Sequence, residues 1–323
     1  MRQTISGPLF LILLLGVVSG GCRTVALKSY DYEDILWTAD WGGPRNEIVT
    51  GGNSPDVRIY SPLGNAITST IPTSNTVTGV AWHPGKERLA VTLQAGEEGS
   101  FLFDLRSGEK RYLDSISAAG ARGLGWSPDG ELLAVGDNDG YLLLYDYEGR
   151  LQRRRKVEPK GITALSWHPD GQIILTVGSG IARYELANDR YTHRPAREQE
   201  VLMLSVAWHP EGALYATGDY GQPDKKRPPY LQYWSADGKL IGRDSSSRVE
   251  IRNLAWSPTG NLLASASDGI RLWTPGGEQI RHGLRDRYLW GLAWKPDGTR
   301  LITTSGDGEA FIVDSRLRTV AGW

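Results

Sequence analysis

The sequence has few of the devices that enzymes and metal proteins use. It holds one cysteine in 323 residues, so no intramolecular disulfide can form, and zinc sites built on cysteine pairs are excluded. Five histidines are scattered along it, and no nucleophile–base spacing stands out beside any of them. Formal net charge is −1, which gives no electrostatic footprint for a general nucleic-acid binder. The longest apolar run, from Pro8 to Val18, is short. As helix it rises about 16 Å, against the roughly 30 Å of hydrocarbon that a membrane span crosses. Turn chemistry is what the chain has in quantity: 40 glycines and 17 prolines, spread out rather than run together as in disordered segments.

Residues 1–22 read MRQTISGPLFLILLLGVVSGGC. Arg2 supplies a positive start, Pro8 to Val18 an apolar middle, and Ser19-Gly20-Gly21 the small residues of a cleavage site. The ending Ser19-Gly20-Gly21-Cys22 resembles the lipobox of bacterial lipoproteins, although Ser19 stands where an aliphatic residue is usual. That resemblance implies a signal peptide over residues 1–21 and acyl chains on Cys22, the new N-terminus. Two or more acyl chains suffice for stable anchoring where one does not. Arg23 follows, and nothing resembles an acidic inner-membrane retention signal. The expected location is therefore extracytoplasmic, on the outer membrane or cell surface.

The rest of the chain repeats. A tryptophan closing a short apolar strand, followed by a proline-bearing turn to glycine, recurs as AWHPG, GWSPDG, SWHPDG, AWHPEG, AWSPTG and AWKPDG. DWGGP at Asp40 to Pro44 is a weaker first copy. The tryptophans are 41, 82, 126, 167, 208, 256 and 294, spaced by 41, 44, 41, 41, 48 and 38 residues. A period of about 40–45 is that of a four-stranded propeller blade. The sixth unit parses as strands over 250–256, 262–266, 270–273 and 279–283, with Ser257-Pro258-Thr259-Gly260 and Asp268-Gly269 at the turns. Seven such units close a ring without sheet edges between blades.

LLASASDGIRLW at Leu262 to Trp273, LLAVGDNDGYLLLYD at Leu132 to Asp146 and LITTSGDGEAFIVD at Leu301 to Asp314 resemble the WD-repeat family. The resemblance covers about residues 34–323 and implies an all-β, seven-bladed propeller of four-stranded antiparallel blades. Residues 22–33 are then a lipidated N-terminus with a short linker or a closing strand. The last blade takes its outer strand either from Thr24 to Lys28 or from Leu317 to Ala321. The Gly-His pair usual before the innermost strand is missing, and only Asp139, Asp268 and Asp307 are placed as hairpin aspartates. The expectation is an incomplete His–Asp network and a ring held mainly by tryptophan packing.

His83, His168 and His209 each follow the repeated tryptophan and read as equivalent turn residues; His193 and His282 read as isolated. Ser127 and Ser257 are turn residues, Glu97-Glu98 solvated hairpin residues, and Arg153 to Lys156 an outer strand whose charge protects an edge. No catalytic residue, metal ligand or cofactor is indicated. In WD-repeat geometry the residues four before each tryptophan ring the top of the channel: Trp37, Thr78, Arg122, Thr163, Leu204, Arg252 and Trp290. Ile35, Glu250 and Tyr288 extend that face, and Tyr288, Trp290 and Trp37 should cluster with Arg122 and Arg252 beside them. Tryptophan, tyrosine and arginine are the types enriched at interface hot spots. A lengthened hairpin between Gly218 and Tyr230 offers a second contact through Lys225, Lys226 and Arg227.

The function these features imply is a membrane-anchored, non-catalytic scaffold that binds a protein or peptide in the bacterial envelope, with no nucleic acid. The alternative is a glycan- or small-ligand-binding propeller, with or without catalysis, using the aromatic mouth.

Overall fold

Strands of three to seven residues cannot cover their own apolar faces, so the sheets they form must stack on one another. In the computed structural model, which describes residues 35–323, seven antiparallel sheets of four consecutive strands do this around a central channel. The innermost strands are Leu36–Gly42, Val77–Trp82, Ala121–Trp126, Ala164–Trp167, Met203–Trp208, Asn253–Trp256 and Leu289–Trp294. The outermost are Ile67–Pro72, Lys110–Tyr112, Leu151–Lys156, Arg190–Arg194, Leu240–Asp244, Gln279–Gly283 and Thr319–Gly322. The seven-bladed all-β fold expected from the repeat is the one observed. In the sixth blade the inner strands are Asn253–Trp256, Leu263–Ser267 and Gly269–Trp273, each within about three residues of the sequence parse.

The last blade completes itself from the C-terminus. Thr319–Gly322 pairs with Ala310–Asp314, and no strand from another blade enters that sheet among the described residues. Thr24 to Lys28 and Cys22 lie outside the described residues. Blades seven and one therefore meet through side chains. Leu36, Ala39, Trp41, Ile48 and Tyr60 pack against Ala293, Ile302, Ala310 and Ile312. Thr304 Oγ1 donates to the carbonyl of Leu36 at 2.8 Å, and Trp323 lies 4.8 Å from the Tyr60 ring.

The apolar core is divided among the seams, because each cluster of buried residues joins two neighbouring blades. All seven repeated tryptophans are buried in these seams. Four donate their indole N–H to the carbonyl of the residue before the preceding blade's tryptophan: Trp126 to Ala81, Trp167 to Gly125, Trp256 to Ala207 and Trp294 to Ala255, at 2.9–3.2 Å. Where that preceding residue carries an acceptor of its own, the pattern changes. Asp40 accepts the backbone N–H of Trp82 and Ser166 that of Trp208, and the indole N–H of Trp82 and of Trp208 has no acceptor among the described residues.

Tryptophan packing is not the whole of the seam, which corrects the expectation from the missing Gly-His pair. Connections into a blade reach its second hairpin through other polar pairs: Arg197–Asp219 at 3.0 Å, Arg248–Asp268 at 2.7 Å and Arg287–Asp307 at 3.5 Å. In blade three the buried hairpin aspartate is Asp137, not Asp139; it accepts the backbone N–H groups of Ser117, Asp139 and Tyr141. Burial pushes the Asp137 and Asp219 carboxyls above their ordinary range despite these donors. At Asp268 burial pushes the same way, but Arg271 and Arg248 outweigh it and the carboxyl is held low.

The histidines after the tryptophans are turn residues as expected, and they also staple blades. His83, His168 and His209 each place Nε2 2.9–3.3 Å from the carbonyl of the turn glycine in the next blade, Gly130, Gly212 and Gly260. Each ring also lies 4.7 Å from the next tryptophan, Trp126, Trp208 or Trp256. Nδ1 of His83 accepts the amides of Gly85 and Lys86, so Nε2 carries the proton and donates to Gly130. The glycines hold φ of 71–76°, and a Cβ on Gly212 would stand 2.3 Å from His168 Nε2. Ser127 and Ser257 replace histidine in blades three and six and accept the amides of Leu132 and Leu262 within their own turns.

Two predictions follow from this seam chemistry. Burial lowers the His83 pKa, so the unfolded chain binds the proton more readily than the folded one. Stability should therefore fall as pH drops through the unfolded histidine value of about 6.5. In urea titrations His83→Ala should cost about 1–3 kcal/mol at pH 8, and less at pH 5.5; an equal cost at both would contradict the neutral staple. Gly171→Ala meets only the left-handed φ, since its nearest neighbour is Pro128 Cδ at 3.8 Å, whereas Gly212→Ala also collides with His168. Thermal melts should show Gly171→Ala losing about 1 kcal/mol and Gly212→Ala clearly more.

Candidate functional site

The inner strands are short and begin at one end of the channel, so their first residues become neighbours around its mouth. All seven ring residues expected from the sequence, from Trp37 to Trp290, line one channel of about 500 Å³. They differ in what their side chains do there. Thr78 donates to the carbonyl of Ala121 at 2.5 Å and Thr163 to that of Met203 at 2.6 Å, so both hydroxyls bridge to the next blade. Leu204 is buried. Trp37, Arg122, Arg252 and Trp290 remain as the large groups of the wall.

These four form one cluster because the first blade closes on the seventh. The Trp37 and Trp290 rings meet edge to face, 4.6 Å apart at 68°. Arg252 lies over Trp290 at 3.8 Å, and Arg122 over Trp37 at 5.0 Å. Trp37 is fixed by donating its indole N–H to Asn53 Oδ1 at 2.6 Å, a partner not identified from the sequence. Trp290 is 6% exposed, and its indole N–H has no acceptor among the described residues.

Tyr288 joins the cluster at 5.5 Å from Trp290, but neither it nor Glu250 lines the channel. They stand behind Arg252, which donates to Tyr288 Oη at 3.0 Å and to Glu250 Oε1 at 2.5 Å; the Tyr288 hydroxyl in turn donates to Glu250. Burial acts to lower the Arg252 pKa, and Tyr288 and Glu250 more than reverse it. Ile35 is 2% exposed and belongs to the core, which corrects its placement on the open face.

Arg122 is held differently. No carboxylate and no hydrogen-bond acceptor among the described residues meets its guanidinium, which makes only the ring contact with Trp37. Burial and the nearby Arg252 push its pKa down to about 10. Asp40 also lines the channel, with its carboxyl pushed up to about 6 by burial against the amides of Trp82 and Trp41. It occupies the position filled by Ala81, Gly125 or Ala207 in other blades, a polar exception visible in the sequence once the repeats are aligned.

The other expected site residues fall elsewhere. The lengthened hairpin carries a short 3-10 turn at Pro223–Lys225 and closes on itself through Gln222 and Arg227. Lys225, Lys226 and Arg227 are not among the residues lining the channel. His193 is not isolated, since it lies 3.1 Å from the fully buried carboxylate of Glu158. His282 contacts the carbonyl of Asp268 at 3.4 Å. Glu98 is not a solvated hairpin residue: it accepts from Ser74 N and Lys110, both at 2.6 Å. In the outer strand of blade three, Arg153 reaches Leu186 O and Arg155 pairs with Asp189 of blade four, while Arg154 covers Tyr141. Among the described residues no group of three His, Cys, Asp or Glu side chains is placed to hold a metal ion. No helix there is long and apolar enough to cross a membrane.

Comparison with known proteins agrees with this architecture. The family model of the WD domain, G-beta repeat, matches residues 238–273 and 278–314, and that of the anaphase-promoting complex subunit 4 WD40 domain matches residues 102–170. Residues 278–314 run from the outer strand of the sixth blade through three strands of the seventh, so a sequence repeat straddles two blades. The chain is 27% identical over 103 residues to the protein transport protein sec13 of Aspergillus oryzae; the match spans 27% of this chain and about a third, 35%, of that relative. A chain in the crystal structure of the mitotic checkpoint complex superposes with a TM-score of 0.72 at 19% identity, over 92% of this chain and 96% of the other. At that identity the likeness is one of fold. The chain is thus a seven-bladed β-propeller, and its residues 102–170, 238–273 and 278–314 match WD40 repeat models.

Proposed function

We propose that this chain is a non-catalytic scaffold that binds a protein or peptide at the channel mouth, and that it is held on a bacterial membrane by acyl chains on Cys22. The observation that carries the binding part is the joining of Trp37, Trp290, Arg122 and Arg252 in one wall of the channel. A rigid ring presents these side chains without ordering them at the moment of contact, which lowers the entropic cost of association. The sec13 match and the checkpoint-complex likeness, both to proteins named for transport or for an assembly, support an interaction role. A shared fold does not name the partner. The membrane and envelope part rests on the leader sequence alone: the apolar run from Pro8 to Val18 and the only cysteine at the end of Ser19-Gly20-Gly21-Cys22.

The binding surface is tested by affinity capture from detergent-solubilised native membranes with the wild-type chain and a Trp37→Ala/Trp290→Ala variant. The double variant should melt cooperatively yet lose its enriched partner by tenfold or more, as expected for hot-spot tryptophans; retention of the partner by a folded double variant would refute the site. The anchor has its own test. Cells fed an alkyne fatty acid should label the wild-type chain and leave Cys22→Ser unlabelled, with the variant moving from the membrane to the soluble fraction. Equal labelling of both would remove Cys22 from the proposal.

A further inference from the structure

The channel wall contains one positive charge that no carboxylate among the described residues pairs. Elsewhere in the fold Arg197 and Arg271 have carboxylate partners at 3.0 and 2.8 Å, and in the channel wall Arg252 has Glu250 at 2.5 Å. Arg122 has none. Its planar donors lie in a half-buried wall near a second guanidinium, where each positive charge raises the cost of the other. Trp37 offers the face of a ring, which moderates that cost without accepting a hydrogen bond. A fork of unpaired N–H donors at the mouth of a channel is matched by a planar oxyanion.

Charge balance selects the kind of anion. Arg122 and Arg252 bring two positive charges to the wall, and Glu250 offsets one of them. Asp40 places a further carboxyl in the same channel. The Asp40 oxygens are already taken up by the amides of Trp82 and Trp41. The wall therefore has at most one positive charge to offer, which a singly charged anion matches and a doubly charged phosphate exceeds. We propose that Arg122, seconded by Arg252, receives one carboxylate of the docked partner, while Trp37 and Trp290 pack the apolar group that carries it. The proposal rests on the channel mouth being the contact surface, and it adds the chemistry recognised there. The carboxylate comes either from the partner's chain terminus or from an acidic side chain; both present the same planar group to the guanidinium.

Saturation-transfer NMR on the full chain in detergent micelles tests this with 3-phenylpropionate, its uncharged amide and phenyl phosphate as probes. The carboxylate should bind saturably, with the amide and the phosphate each weaker by about tenfold or more, the scale of a charge-assisted pair. Arg122→Leu should lose the carboxylate signal, and Arg122→Gln, which keeps the polarity and most of the volume, should do the same if Leu compromises folding. Equal binding of carboxylate and amide, tighter binding of the phosphate, or wild-type carboxylate binding by either folded variant would overturn the inference. Two tripeptides separate the sources: one with a free C-terminus and no acidic residue, the other amidated with one internal Glu. Binding of either supports the site, and binding of neither contradicts it. The scaffold reading fails separately. Partner capture that is lost in Trp37→Ala/Trp290→Ala but intact in Arg122→Leu refutes only the carboxylate, whereas saturable carboxylate binding with no captured protein refutes only the scaffold.

Discussion

The whole molecule depends on burial between blades. No sheet here has an interior of its own; each apolar cluster is made of residues from two neighbours, so a blade is stable only as a member of the ring. That makes the junction of blades seven and one decisive. It is closed without a shared strand among the described residues, by Trp41, Ile48 and Tyr60 against Ile302 and Ile312, with Trp323 covering Tyr60 and Thr304 bonded to Leu36. A strand shared across the junction would tie it by backbone hydrogen bonds; this chain ties it by packing and side-chain donors.

The same closure builds the candidate site. Trp37 and Trp290 are 253 residues apart in sequence and 4.6 Å apart in the ring, because one begins the first blade and the other the last. Loss of the junction would therefore take the aromatic cluster with it. Arg252 is anchored by Glu250 and Tyr288, and Arg122 is held over Trp37 without an anionic partner among the described residues. The site couples a rigid apolar floor to one uncompensated charge, a combination that folding alone does not call for.

The polar seams explain how a propeller of this kind manages without histidine before its inner strands. Arg197, Arg248 and Arg287 come from the same connections and reach Asp219, Asp268 and Asp307 in the hairpins they approach. Histidine is used instead at the opposite, turn-bearing end of the inner strands, where His83, His168 and His209 bind the next blade's turn glycine. At the turn end, and at Asp219 and Asp268, an N–H donor reaches a buried acceptor. Residue type differs while the physical requirement, an acceptor that must not be left unpaired, is the same.

The number of blades, the strand order within each and the identity of the ring residues were legible in the sequence, because a period fixed by tryptophan, proline and glycine acts over a few residues at a time. The turn role of His83 and Ser127 was legible for the same reason. What the sequence did not reveal were pairings between separate strands and connections: Glu158 with His193, Asn53 with Trp37, Glu98 with Ser74 and Lys110, and Asp137 rather than Asp139 as the buried hairpin aspartate. Such contacts join residues 12 to 35 apart in sequence, and local pattern carries no record of which side chain reaches which acceptor. The choice of Thr319–Gly322 as the last outer strand, and the separation of Lys225 to Arg227 from the channel wall, were likewise decided by the ring. Periodicity determined the blades; only the closed ring, by setting which faces are buried together, decided which charges are paired and which one is left facing the channel.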